Sequence, residues 1–317
     1  MSDTARKHDT SGVYVDLGTL LSSRGWARDL KLFARQAARS MLLGETRSRF
    51  RGRGMEFEEV RPYQPGDDIR NIDWRVSARA GGTYTKLFCE ERERPVHIVV
   101  DQRNSMFFGS SERFKSVLAA EIASAIAWAA LAGSDRIGGQ VISDYGESDI
   151  RAKRTKDAVL RFVRDLVSYN QQLPQPEIER NDSKSNSTSK KTIAQVLEEC
   201  RRLTRPGTAI FIISDFHDFD PAAAKALSML GRHTDISLIQ IADALEQQLP
   251  FSGQVAISDG KNRSSVQLSA SVRASFEQQY QTRQAALLKA ATRSRALYTQ
   301  IATDADPRRT LSQIFRK

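Results

Sequence analysis

Four short apolar, β-branched runs stand out along the chain: Val96 to Asp101 (VHIVVD), Arg136 to Ser143 (RIGGQVIS), Thr208 to Asp215 (TAIFIISD) and Asp235 to Ile241 (DISLIQI). They are apolar almost throughout rather than at alternate positions, the pattern of strands buried on both faces. Between them the periodicity predicts helices over Glu112 to Ala132, Lys156 to Val167, Thr192 to Leu203 and Pro221 to Gly231. Strands alternating with helices imply right-handed crossovers and parallel pairing. The expected fold class is therefore α/β, a doubly wound, mostly parallel sheet with a small N-terminal helical and β subdomain. Past Ile241 the pattern predicts a weak hairpin over Gln254 to Leu268, a long helix over Ser271 to Thr292 and a last strand over Ala296 to Ile301, all completing the same domain. Gln171 to Lys190 is polar and reads as a surface loop.

Before Pro95 the pattern changes. Residues 53 to 88 mix glycines, aromatics and charges in short segments that read as strands and turns (MEFEEVRPY, PGDDIRNIDWR, GTYTKLF). The expected division is an N-terminal region, 1–94, and a sheet domain, 95–317. Further upstream, Arg24, Arg28, Lys31, Arg35 and Arg39 recur at helical spacing opposite Trp26, Leu30, Phe33, Ala37 and Met41, which predicts one amphipathic basic helix. Such a helix docks its apolar stripe on the core and solvates its charges, or it meets a membrane surface or nucleic acid.

Charge sharpens this picture. The 317 residues carry 48 Lys and Arg against 38 Asp and Glu, a net charge of +10, and nine basic but two acidic residues lie between Arg24 and Gly54. An excess of that kind suits nucleic acid, acidic lipid or acidic protein, with Arg49, Arg51 and Arg53 as the candidate patch. Hydrophobic residues at 40% and charged ones at 27% are ordinary for a globular protein. The longest uncharged apolar run, Ile122 to Ser134, follows Glu121 and is short of a membrane span, and the first twenty residues contain no export signal. A cytoplasmic location is expected. Cys89 and Cys200 are too few for a disulfide framework or thiolate cluster and read as inert thiols.

Asp101 and Asp215 each close a buried strand, where doubly wound sheets bind ligands. Gln102-Arg103-Asn104-Ser105 follows the first and FHDFD the second, giving oxygen donors of the kind Mg²⁺ takes. Strand-end aspartates also serve as terminators and caps. A phosphohydrolase at Asp101 and Asp215 is disfavoured, because Arg103 stands where a phosphatase loop needs its second acid, and no phosphate-binding GxxxxGK[ST] occurs. His8, His97, His217 and His233 lack zinc-ligand spacing, and His217 reads as a loop residue.

The stretch RGRGMEFEEVRPYQPGDDIRNIDWRVSARAGGTYTKLFCEERERPVHIVVDQRNSMFFGS, continued by FKSVLAAEIASAIAWAAL, SDRIGGQVIS, IFIISDF and IQIADALEQQLPFSG, resembles the domain-of-unknown-function family fifty-eight. The resemblance implies a von Willebrand factor A-like fold. It also implies partnership with a MoxR-type AAA+ ATPase in chaperone-like assembly or maturation of protein complexes, with an unknown client. Many members carry transmembrane helices ahead of the signature; this sequence resembles the short soluble type. The signature residues are Gly66, Asp67, Asp68, Arg70, Asp73, Trp74 and Arg79, serving either a partner or the subdomain's own structure. The fold's metal-ion-dependent adhesion site carries over to Asp101, Ser105, Thr192 and Asp215, with Arg103 in place of the first serine. That cation should repel Mg²⁺ and bridge Asp101 or Asp215. Since the chain supplies no nucleophile and base pair, the expected function is that of a non-enzymatic protein-binding adaptor, with no firm cofactor, Mg²⁺ at most weakly held because of Arg103, and nucleic acid ranked below protein as partner.

Overall fold

A computed structural model describes residues 12–33, 55–90, 94–173, 190–249, 253–258 and 263–315. The chain divides into two units, Met1–Leu32 with Arg94–Lys317, and Phe33–Glu93. This differs from the expected split at 94, because residues 12–32 belong to the sheet unit. Their short helices α1 (Leu17–Ser22) and α2 (Arg24–Ala27) bury Leu20 and Ala27, and the flanking Val15 and Leu30 are buried as well.

In the smaller unit, β1 (Met55–Pro62) pairs antiparallel with β2 (Tyr84–Glu90), and between them run a 3₁₀ turn, Ile69–Asn71, and helix α3 (Trp74–Ala80). Three acids of the signature build this connection. Asp67 accepts from the Gln64 amide at 2.9 Å and pairs with Arg61 at 2.8 Å, Asp68 caps the 3₁₀ turn, and Asp73 caps α3 through the Arg75 and Val76 amides. Gly66 sits at φ 105°, a backbone conformation that side chains resist.

In the larger unit, the strands are β3 (Pro95–Asp101), β4 (Arg136–Ser143), β5 (Gly146–Lys153), β6 (Ala209–Ser214), β7 (Asp235–Ala242) and β10 (Leu297–Ala302). They form one six-stranded sheet in the order β10-β7-β6-β3-β4-β5, parallel except for the β4–β5 pair. The order reverses between β3 and β6, the doubly wound arrangement. One face carries α4 (Lys115–Ala132) and α5 (Lys156–Asn170), and the other α6 (Ile193–Leu203), α7 (Pro221–Leu230) and α9 (Ala270–Arg293). The expected hairpin is present as β8 (Gly253–Ser258) and β9 (Arg263–Leu268), paired as a separate two-stranded sheet.

Helix α4 is apolar all round because α1, α2, α5 and α10 (Pro307–Ile314) pack against the sides that the sheet leaves open. It is long and apolar enough to cross a membrane by length and composition, and 83% of it is buried inside the protein. The continuous basic helix expected from Arg24 ends at Ala27, where the chain turns so that Leu30 is buried and the Lys31 amide donates to the Phe315 carbonyl. Arg24 lies over the Trp128 ring at 5.4 Å, so one member of the basic stripe packs on the core. The rest of that stripe, from residue 34, and Arg49, Arg51 and Arg53 fall outside the described residues, as do positions 174–189 of the polar loop. Cys200 is buried, with its thiol pushed up to about 12 by that burial, and donates to Gln140 Oε1.

Candidate functional site

The site is built where β3 and β6 end side by side. Register places Val100 opposite Ile213, so Asp101 falls beside Ser214, whose hydroxyl donates to Asp101 Oδ2 at 2.7 Å. Asp215 follows immediately, outside the strand rather than within it. Both carboxylates are buried. Buried carboxylates demand full hydrogen bonding and a counter-charge, and two cations supply it.

Arg103 folds back over its own strand end. Its amide and Nε reach Asp101 Oδ1 at 2.9 and 3.0 Å, and Nη2 reaches Oδ2 at 2.7 Å. The outer edge of the guanidinium grips both Asp218 oxygens at 2.7 and 3.0 Å, and Nη1 also donates to the Lys191 carbonyl at 3.0 Å. Burial works against this charge, and Asp101 and Asp218 outweigh it, holding the group above its ordinary arginine value. The bridge expected from Arg103 is thus made to Asp101 and Asp218, with Asp215 paired elsewhere.

That other partner is Lys115, the first residue of α4, with no exposed surface. Its ammonium donates to Asp215 Oδ2 at 2.8 Å and to Glu246 Oε1 at 2.5 Å. Glu246 comes from α8 (Ala244–Gln247), directly after β7. Burial depresses the ammonium's proton affinity and the two carboxylates more than restore it. Asp215 is likewise opposed by burial and carried below its ordinary value by Lys115, the His217 amide and the Ser105 hydroxyl. Glu246 goes the other way, because its burial outweighs its pairing with Lys115.

Of the carried-over positions, Asp101, Ser105 and Asp215 are therefore brought together, while Thr192 is not joined to them by any described hydrogen bond. Thr192 is the exposed N-cap of α6, its side chain accepting from the Gln195 amide in a reciprocal capping box. His217 stands in an exposed loop beside Arg283. In the smaller unit Arg70, Trp74 and Arg79 are exposed. Lys115, Asp218 and Glu246 are the members that the sequence reading missed. Asp218 lay inside the oxygen-rich FHDFD segment, and Lys115 carried a signal of its own, a lone lysine heading a helix too apolar to be solvated there.

The donor set does not fit a divalent ion as it stands. Asp101 has four lone-pair sites and accepts four hydrogen bonds, three from Arg103 and one from Ser214. Asp215 has an ammonium against it. Among the described residues no group of three or more His, Cys, Asp or Glu side chains is placed to hold a metal ion.

The architecture and the strand-end site define a doubly wound α/β protein with its polar centre at the switch in strand order. The chain belongs to the family described as protein of unknown function DUF58, whose model matches residues 59–286. It is similar to uncharacterized proteins of Mycobacterium bovis and Mycobacterium tuberculosis, each 27% identical over 235 residues, covering 74% of this chain and 70% of the relative. Solved structures similar to it include the conserved hypothetical protein BatB from Bacteroides thetaiotaomicron, at a TM-score of 0.43 and 14% identity, covering 69% of this chain and 96% of that one. Another is a von Willebrand factor type A protein from Catenulispora acidiphila, at a TM-score of 0.39 and 13% identity, covering 74% and 43%.

Proposed function

We propose that this protein is a non-catalytic, protein-binding adaptor that engages a MoxR-type AAA+ ATPase during assembly or maturation of a client complex. The observation that carries the reading is an exposed apolar pair at two capped turns. Ile69 and Trp74 are 66% and 69% exposed in the family signature, on turns fixed by the Asp68 and Asp73 caps. Large apolar side chains held outward next to arginines are the usual anchors of protein interfaces. The strand-end carboxylates support the same reading, since Asp101, Asp215 and Asp218 are tied to cations rather than poised as nucleophile or base.

Affinity isolation from the native cell, followed by binding of the purified ATPase to the purified full chain, tests this. The expected result is a direct complex weakened about tenfold or more by Trp74→Ala, with melting temperature unchanged. The reading fails if no such ATPase binds. It fails equally if the chain instead binds nucleic acid at micromolar affinity in ~150 mM salt and loses it on Arg49, Arg51 and Arg53→Ala.

A further inference from the structure

We propose that two buried side-chain cations, Lys115 and Arg103, stand in this chain where the fold's adhesion site holds its metal, so that the strand-end edge is closed without a divalent ion.

The task at that place is to hold carboxylates from two adjacent strand ends against each other inside the protein. A dication does so by collecting about six oxygens at roughly 2.1 Å. Here the same two units of positive charge arrive on two side chains. Lys115 enters from the first turn of α4 and joins Asp215, after β6, to Glu246, after β7. Arg103 joins Asp101, at the end of β3, to Asp218, whose Oδ2 also accepts from the Ile193 amide at the start of α6. All five side-chain N–H groups of Arg103 are directed to acceptors. The two clamps therefore stitch β3, β6, β7 and the first turns of α4 and α6 into one edge.

Three details favour substitution over coexistence with a metal. Every lone pair of Asp101 is occupied. Lys115 has no exposed surface, and its ammonium is paired with Asp215 and Glu246. The Thr192 hydroxyl caps its own helix instead of turning inward. A partner's carboxylate thus finds no open metal position at this edge, and recognition there is independent of chelators.

The test uses the full-length chain alone. Titration of Mg²⁺ and Mn²⁺ by calorimetry and by thermal melting should give no saturable heat and no shift in Tm for the wild type, with or without EDTA. Reductive methylation of the folded protein should modify exposed Lys225 and Lys289 and spare Lys115. Lys115→Met should lower Tm by roughly 5–10 °C, since it leaves the buried Asp215 and the half-buried Glu246 without their cation. The double variant Lys115→Ser with Arg103→Ser should gain a saturable, Mg²⁺-dependent rise in Tm. A saturable response of the wild type overturns the proposal, as does methylation of Lys115 at the rate of Lys225. A folded double variant as indifferent to Mg²⁺ as the wild type overturns it too. Should the double variant not fold, the wild-type titration and the methylation decide between the two outcomes.

Discussion

Arg103 stands two residues from the aspartate it neutralises and closes on it through both backbone and side chain. Removing it with Arg103→Met leaves Asp101 buried and stripped of its counter-charge, and the expected loss is about 3–5 kcal/mol by urea denaturation. The same variant should change how stability depends on pH. In the wild type, Asp218 and Asp215 both titrate below their ordinary value of 3.8. A carboxylate depressed by folding contributes stability that is present above its unfolded pKa and disappears as the pH falls through the folded one. The cluster therefore weakens below pH ~4. At the alkaline end, Lys115 titrates above its ordinary 10.5, so its contribution persists below that value and is lost only as the pH climbs through the higher folded one. Arg103→Met releases Asp218 from its partner, and the acid limb should become shallower than in the wild type. An acid limb of unchanged slope would mean that the ion pair with Asp218 contributes nothing to folding.

Strand β4 illustrates how an element is tuned to its neighbours. Its Gly138-Gly139 pair coincides with an irregularity in the β4–β5 register, between Ile137 and Gly139. A Cβ at Gly139 would lie 2.4 Å from the Ile98 carbonyl oxygen and 2.9 Å from the Phe162 ring. Backbone atoms in a central sheet cannot withdraw, so Gly139→Ala should destabilise by about 2–3 kcal/mol in the same denaturation assay, despite the better strand propensity of alanine. A neutral Gly139→Ala would show that β3 can move aside. The two glycines were visible in RIGGQVIS, but their partners were not, since only the fold brings Ile98 and Phe162 to them. The same limit runs through the other elements. The buried strands and the helices over them were legible because their apolar runs are long and unambiguous, as in AIFIIS. Strand β5, GESDIRAK, was not, because an edge strand with Ile150 as its one buried side chain presents charges to solvent and hides its period. Helix α10 is too short to show a clear period, and the basic stripe from Arg24 does not form one continuous helix, since Leu30 is buried by a turn rather than by continued helix. At the site, Asp101, Arg103, Ser105 and Asp215 could be placed from strand ends and resemblance alone. Lys115 and Glu246 could not, because each reaches the centre from a different crossover and no spacing along the chain connects them.

The whole molecule is organised around a sheet unit whose chain is interrupted, with Met1–Leu32 and Arg94–Lys317 forming one body and Phe33–Glu93 another. Residues 12–32 are part of the sheet unit's core rather than an appendage. Val15 receives a hydrogen bond partner in Asn170 of α5 at 2.8 Å, Ser23 meets Ser124 of α4 at 3.3 Å, and Leu20 and Ala27 are completely buried. Burying Val15, Leu20, Ala27 and Leu30 contributes on the order of 5 kcal/mol before the entropy of ordering the segment is subtracted, comparable with the net stability of an ordinary domain. A chain beginning at residue 95 should therefore melt well below the full protein and bind a hydrophobic dye, because the face of α4 that α1 and α2 cover becomes exposed. A chain in which residues 33–93 give way to a long flexible Gly/Ser linker, joining Leu32 to Arg94, should keep the cooperative melting of the sheet unit. If instead the chain from residue 95 melts like the linked one and binds no dye, the first 32 residues contribute nothing to the core, and the sheet unit is complete without them.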